Sequence, residues 1–330
     1  MNYRPFGNTA LRVSEIGFGA WAIGGPAYAG TIPIGWGKTD DPASIKALKT
    51  AFEQGINFYD TADFYGLGHS EELIGEVFGN HPEVIIATKA GHRLNEKGEI
   101  LFDYSYDYLI RACTQSLKRL KRESIDYYQL HTARVADLEK GECIRAMQDL
   151  QKEGKIRYWG ISLYTYDPAP EIEFFIHHRI GNGFQVVLNI INQRIVTFLP
   201  EIANHHYGVI ARMPLQFGLL TGKFDRNSRF GADDHRATRL NPEILEQAEE
   251  YLLPVWEMAK KYQTTPGALA LRFDLSFREV STVIPGMRDE NQVTQNMADL
   301  EKIGDHDMLF LKKLYHDKLS TLLSEMQKFG

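Results

Sequence analysis

The chain has 330 residues, 43% hydrophobic and 24% charged, with a formal net charge of −6. This is the composition of a globular protein long enough to bury a large core, and its charge balance argues against a broad nucleic-acid footprint. No stretch is apolar for long enough to span a membrane, and the two cysteines, Cys113 and Cys143, sit in amphipathic patterns as small core residues rather than a disulfide pair.

The opening MNYRPFGNTALRV lacks an apolar leader segment, so a cytoplasmic protein is expected. Tyr3 to Val13 reads as a hairpin turning at Gly7-Asn8-Thr9. A strand through Ile16 and Phe18 follows. Gly17-Phe18-Gly19-Ala20-Trp21-Ala22 formally fits a dinucleotide fingerprint with alanine in third place. Gly24-Gly25-Pro26 stands where that fingerprint needs a helix, so the match is a decoy. Gly24 to Thr39, rich in glycine and proline, reads as one long loop.

From Asp41 the pattern alternates. A helix carries Ile45, Leu48, Ala51 and Phe52, and the strand INFYD ends at Asp60. A second helix is capped by Ser70, with Glu71 and Glu72 in its first turn. Then come a strand from Val84 to Lys89, a loop to Phe102, and a helix on Leu109, Cys113, Leu117 and Leu120. The strand IDYYQLH ends at His131, a helix on Cys143, Met147 and Leu150 closes at Gly154, and the strand IRYWGIS ends at Ser162. A helix in the 170s, a strand from Phe184 to Asn189, a short helix through Ile202 and a strand from Gly208 to Met213 follow. Pro214 to Asn241 is a loop. Helices then run through Ala248 to Ala259 and from Pro266 to Ser276, the last strand lies at Val280 to Ile284, a helix starts near Asn291, and an amphipathic tail begins at Asp307.

Eight short apolar strands, each followed by a helix, predict a parallel sheet closed into a single (β/α)8 TIM barrel over residues 1–330, with the N-terminal β-hairpin capping its bottom and extra helices near the C-terminus. An open doubly wound sheet would need the missing glycine turn. In a barrel, the residues that end the strands share one face. Asp60, Lys89, His131 and Ser162 end the second to fifth strands, and Tyr65 lies in the loop after the second. A phenol with a free pKa of about 10 donates its proton poorly, and a neighbouring ammonium stabilises the phenolate left behind. Tyr65 is therefore the expected proton donor, with Lys89 beside it, Asp60 holding Lys89, and His131 bonding or relaying to a substrate oxygen. That set suits a carbonyl becoming an alcohol, which needs a hydride from a nicotinamide cofactor.

DTADFYG with SEELIG, then ATK, then LH at the end of the fourth strand resemble the Asp, Tyr, Lys and His tetrad of the aldo-keto reductases, in order and along nearly the whole chain. ATKAGHR and IPG-x-R are most similar to a bacterial branch that includes inositol-cluster and stress-linked members. The resemblance implies a barrel that binds extended NADP(H), with NAD(H) as the other candidate, and no Rossmann motif. It implies Ser162 and Gln185 at the carboxamide, with Asn189 further along the same strand, and Trp21 and Asp60 near the nicotinamide. It also implies cofactor contacts at Arg212 and Met213, a pyrophosphate loop from Pro214 with the backbone amides of Leu215, Gln216 and Gly218 and the Lys223 side chain as donors, and an adenosine end at Gly286, Met287, Arg288, Gln292 and Asn296. An arginine fork at Arg288 favours a 2′-phosphate.

Two departures stand out. Leu163 occupies the usual asparagine position after Ser162, and Arg212 occupies a place where many members have an aromatic that stacks on nicotinamide. Trp21, Tyr28, Trp36, His92, Arg93 and Tyr164 are candidates for substrate contact, and their mixture suits a small polar aldehyde or ketone, such as a sugar-derived one. No metal site is expected, and a monomer or weak homo-oligomer is. The resemblance also leaves a binding module open, an NADP-holding regulatory subunit of the potassium-channel β type; His131 argues against it, as those subunits carry asparagine there, and so does the lack of a long N-terminal extension. A short-chain dehydrogenase is excluded, because no tyrosine stands four residues before a lysine.

Overall fold

The computed structural model describes residues 1–231 and 234–329. Eight strands form one parallel sheet, β1 (Phe18–Gly19), β2 (Phe58–Asp60), β3 (Ile85–Ala90), β4 (Ile125–His131), β5 (Ile156–Ser162), β6 (Gly183–Val187), β7 (Gly208–Arg212) and β8 (Thr282–Ile284), each hydrogen-bonded to the next in chain order. The two ends of this sheet meet. Gly17 N–H donates to the Val283 carbonyl (2.8 Å), Val283 N–H to the Glu15 carbonyl (2.9 Å) and Gly19 N–H to the Pro285 carbonyl (3.0 Å), closing the barrel.

Helices α1 (Asp41–Glu53), α2 (His69–Phe78), α3 (Tyr106–Leu120), α4 (Glu142–Lys152), α5 (Ala169–His178) and α6 (Leu199–Asn204) follow the first six strands in turn. Between β7 and β8 lie α7 (Pro242–Tyr251), α8 (Leu253–Lys261) and α9 (Pro266–Leu275). After β8 come α10 (Glu290–Met297), α11 (Asp305–Leu314) and α12 (Ser320–Gln327). None of the described helices is long and apolar enough to cross a membrane. Both cysteines are buried and unpaired.

Two apolar layers hold the barrel. The outer one joins the strands to the helices; the inner one comes from alternate strand residues, Phe58, Ile85, Ala87, Tyr127, Ile210 and Ile284, packed with Phe6, Leu11 and Val13 of the N-terminal hairpin (Tyr3–Pro5 and Arg12–Ser14). The hairpin is thus the plug at the N-terminal end. The Phe6 ring, edge-on to Tyr127 at 4.9 Å, fills the space that a side chain at Gly183 or Gly208 would need. Filling that end with side chains leaves the opposite, C-terminal end to receive a ligand.

The structure departs from sequence expectation where long-range partners outweigh local propensity. Ser70 does not cap α2. It lies within the first turn, donating to the Ala20 carbonyl (2.9 Å) and accepting from Thr61 Oγ1 (2.8 Å), which ties the loops after β1 and β2 together. Glu71 is buried and accepts from Thr88 Oγ1 and Arg119 Nε, both at 2.6 Å.

The long loop after β1 folds into a small hairpin (Tyr28–Ala29 and Ile32–Pro33), and the loop after β3 into another (His92–Leu94 and Ile100–Phe102). β6 ends at Val187, so Asn189 lies beyond the strand rather than along it. Its amide donates to the Met213 carbonyl (2.9 Å) and to Gln216 Oε1 (2.8 Å). Within the expected loop Pro214 to Asn241 there are a 3-10 turn (Gln216–Thr221) and a short helix (Arg236–Arg239); Ala232 and Asp233 lie outside the described residues. The tail packs on the side of the loop after β6: Gln193 Nε2 donates to the Leu311 carbonyl (3.1 Å), Arg194 Nη1 to Gln327 Oε1 (3.0 Å), and Met326 Sδ lies 3.9 Å from Gln216 Nε2.

Candidate active site

The strand ends deliver four polar side chains to one point at the C-terminal end of the barrel. Lys89, fully buried, donates from Nζ to Asp60 Oδ2 (2.7 Å), the Thr61 carbonyl (2.6 Å) and the Tyr65 hydroxyl (3.3 Å). Asp60 Oδ1 accepts from Gln185 Nε2 (2.6 Å) and Gln129 Nε2 (3.2 Å). The buried carboxylate is thus shared among one ammonium and two amides, which is the condition for keeping a charge in a dry interior. Burial alone would push the Lys89 ammonium down; Asp60 and the Tyr65 phenol outweigh it, and the net direction is upward. Lys89 therefore stays a cation pressed against the phenol.

Tyr65 opens a 3-10 turn whose second residue, Gly66, has φ +60°, with the Gly24 carbonyl where a Cβ would be. Its ring stacks on Trp21 (5.9 Å) and meets the edge of His131 (6.0 Å). His131 is held from behind by Tyr104, whose hydroxyl donates to its carbonyl (2.6 Å), and His131 Nδ1 is sealed from solvent without a partner. The His92 ring lies flat on that of His131, 4.0 Å away and 7° from parallel. Burial pushes both imidazoles down, His92 to about 4 and His131 well below the ordinary histidine range, with the opposed rings, Lys89 and Arg212 adding to the effect at His131.

A cleft of about 780 Å³ runs from this cluster across β5, β6 and β7 to the start of α10. Of the residues expected at a cofactor, Trp21, Asp60, Ser162, Gln185, Arg212, Met213, Pro214, Leu215, Gln216, Gly218, Lys223, Gly286, Arg288, Gln292 and Asn296 all line it. Tyr65 and His131 line it too, while Lys89 lies beneath the floor. Among the substrate candidates, Trp21, Trp36 and His92 line the cleft. Tyr28 and Tyr164 do not: both are exposed, Tyr164 under the Arg134 guanidinium. Arg93 also points away, paired with Asp103 at 2.9 Å. Met287 is fully buried behind the lining.

Several contributors escape sequence reading. Gln129 is the second amide on Asp60, and Thr132 holds His92 Nε2 at 2.8 Å from an unusual positive φ of +64°. Across the mouth, His235 stacks on Trp21 (4.9 Å), while the Arg236 guanidinium sits over Trp36, Phe224 and Phe230. Gln129 was within reach by counting back two places from His131 along a strand; nothing local signals the others.

The loop from Met213 to Gly218 adopts positive φ at Met213, Gln216, Phe217 and Gly218, three of them non-glycine. Such a run is costly for L-residues, and within it two of the amides expected as phosphate donors are already spent: Gln216 N–H donates to the Met213 carbonyl (3.0 Å) and Gly218 N–H to the Leu215 carbonyl (2.9 Å). Lys223 and Arg288 are exposed beside the cleft, and neither forms an ion pair among the described residues. Arg212 donates to the Leu163 carbonyl (3.0 Å) and Thr165 Oγ1 (3.2 Å), leaving its Nε buried and unpartnered. Leu163 itself is buried in the outer core and offers the cleft no polar side chain.

The sequence profile described as Aldo/keto reductase family matches residues 15–314. The chain belongs to the aldo/keto reductase family. This aldo-keto reductase is 31% identical over 302 residues to the uncharacterized oxidoreductase YqkF of Bacillus subtilis, covering 90% of each chain. It is also 27% identical over 322 residues to a probable voltage-gated potassium channel subunit beta of Oryza sativa subsp. japonica, covering 92% of each. Among solved structures, the glycerol dehydrogenase AKR11B4 from Gluconobacter oxydans superposes with a TM-score of 0.79 at 26% identity, over 96% of this chain and 95% of that one. As a member of the family the protein is an NAD(P)H-dependent oxidoreductase acting on carbonyl and alcohol groups. The residues present fit that cofactor. Two cations outside ion pairs, Lys223 and Arg288, suit a pyrophosphate and a further anion, and the Ser162 hydroxyl with the Gln185 amide suits a carboxamide.

Proposed function

We propose that this protein, a single barrel domain of the cytoplasm acting as a monomer or weak homo-oligomer, reduces a small polar aldehyde or ketone to an alcohol with NADPH, using Tyr65 as the acid. The observation that carries the reading is the Lys89 ammonium, fully buried and shared between Asp60 and the Tyr65 hydroxyl. NADPH, when bound, supplies the hydride. Ser162 and Gln185 would hold its carboxamide, Lys223 its pyrophosphate, and Arg288, Gln292 and Asn296 its adenosine end. Exposed Arg288, outside ion pairs, favours a cofactor with an extra phosphate.

Tyr65 donates its proton to the developing alkoxide, and Lys89 stabilises the phenolate that remains. Asp60 anchors Lys89, and Gln129 and Gln185 anchor Asp60, so the donor does not reorganise during the step. Trp21 and Trp36 wall off water. The glycerol dehydrogenase among the structural relatives supports a small hydroxylated substrate. A regulatory role without turnover, as the name of the rice relative would suggest, leaves the intact Tyr65–Lys89–His131 set without a purpose.

The test is NADPH and NADH oxidation at 340 nm with a panel of small hydroxylated aldehydes and ketones, for the wild type and Tyr65→Phe. Turnover that falls by about 100-fold or more in the variant, with NADPH binding intact, is expected. Equal turnover in both proteins removes Tyr65 as the acid, and tight NADPH binding without turnover in either favours the binding module.

A further inference from the structure

His92 has no part in the proton path above, yet it is built into the site from every side. Its ring covers one face of His131 at 4.0 Å, its Nε2 bonds Thr132 Oγ1 (2.8 Å), and its backbone carbonyl accepts from the Tyr108 hydroxyl (3.1 Å). Phe64 and Phe102 meet it edge-on at 5.6 and 4.9 Å. Thr132 reaches it only from a left-handed backbone, a conformation unfavourable for a β-branched residue and typical of strained functional positions.

The consequence falls on His131. A charged imidazole carries N–H at both nitrogens, and at His131 one of these would be a buried donor with no acceptor, since Nδ1 is sealed and unpartnered. A neutral ring with its proton on Nε2 leaves only a lone pair unsatisfied there, the milder defect. We propose that His92 is a positioning residue for the reduction, holding the His131 ring in plane as a neutral Nε2–H donor to the substrate's carbonyl oxygen. The substrate part of this statement rests on the reductase reading given above. The other groups facing His131 agree with it. Lys89 and Arg212 are cations, Tyr65 presents its ring, and Tyr104 spends its hydroxyl on the His131 backbone. None offers His131 a counter-ion.

Two variants separate positioning from packing. His92→Ala removes the covering ring; His92→Phe keeps a flat ring but no titratable group. With saturating NADPH, His92→Ala is expected to lose about 10–100-fold in kcat, with little change in NADPH affinity, because the oxygen's partner is no longer held in place. Its kcat/KM should gain an acid-side inflection near pH 6–7, where an uncovered imidazole titrates. His92→Phe should recover most of the loss and show no inflection. Nitrogen-15 spectra of the histidine rings give a reading independent of turnover: wild-type His131 should be the neutral Nε2–H tautomer down to pH 5.5 and should titrate at higher pH in His92→Ala.

Wild-type His131 found charged at pH 6, or protonated on Nδ1, overturns the proposal, as does His92→Ala with wild-type kcat and a flat profile. The wild-type spectra can overturn the His131 state even if His92→Ala does not fold, and His92→Phe then carries the test of the covering ring: a His92→Phe enzyme with kcat as low as about 1% of wild type also overturns the proposal. The spectra also stand if Tyr65→Phe proves active, so the two readings fail separately.

Discussion

Replacing Lys89 by methionine tests the centre of the site through stability rather than rate. The ammonium makes three bonds in a fully buried position, and its removal leaves Asp60 with a negative charge satisfied only by the amides of Gln185 and Gln129. Breaking a buried ion pair from one side costs about 3–5 kcal/mol, because the survivor stays charged and dry. A chain of this length has an unfolding entropy of about 0.7 kcal/mol/K, so Tm should fall by about 4–7 °C. Adding Asp60→Asn removes the stranded charge, and the double variant should recover about 1–3 kcal/mol, a coupling expected of residues in direct contact. Thermal unfolding followed by circular dichroism or calorimetry reads both numbers. A Lys89→Met protein melting within a degree of the wild type, or a double variant no more stable than the single one, would refute the claim that Asp60 is ionised and depends on Lys89.

Three other outcomes follow from the geometry. Asp274 is fully buried with neither oxygen partnered among the described residues, and burial holds its carboxyl well above the usual range. The folded state keeps a proton that the unfolded chain releases near pH 4, so stability is lost as pH rises from about 4 toward the folded value, at about 1.4 kcal/mol per pH unit. Asp274→Leu should therefore melt higher than the wild type at pH 7 and by a smaller margin at pH 4, as calorimetry at the two pH values would read. Gly66→Ala puts a methyl against the Gly24 carbonyl and forces a left-handed backbone costing about 1–2 kcal/mol. It should lower kcat more than it raises the Kd of NADPH, since the displaced element carries Tyr65. Arg212 places a guanidinium in the cleft, which repels oxidised, cationic nicotinamide more than the reduced form. Arg212→Trp should tighten NADP+ relative to NADPH, and fluorescence titration showing an unchanged affinity ratio would reject the idea.

The barrel and its tetrad were legible because both follow from short-range regularities. Apolar runs bounded by turn residues located all eight strands, and the end of each strand located Asp60, Lys89, His131 and Ser162 to within a residue. The same rules failed where a residue's partner is remote in sequence. Ser70 looked like a cap, but its hydroxyl serves Ala20 and Thr61. Tyr28 and Tyr164 were aromatic and lay in the right loops, yet the hairpin geometry of one loop and the Arg134 contact of the other leave both outside the cleft. His235, Arg236 and Thr132 carry no signal in a single sequence, since what makes them part of the site is a ring from another loop, Trp21 for His235, Trp36 for Arg236 and His92 for Thr132.

The hydrogen bonds that join β1 to β8 have a consequence for how the molecule is made. Emerging from the ribosome, the chain offers β1 first and its closing neighbour almost last, so for most of synthesis the growing sheet has an open edge at Ile16 to Gly19. An unpaired parallel edge is a template for other nascent chains, and contacts so distant in sequence form slowly. The hairpin shields part of that liability, since Asn57 binds Arg12 and Ser14 and fixes the plug against β2 early. The interval before Thr282 to Ile284 arrives is therefore the one in which this chain is most exposed to wrong pairing, and slower elongation or fewer chaperones should lower its yield there.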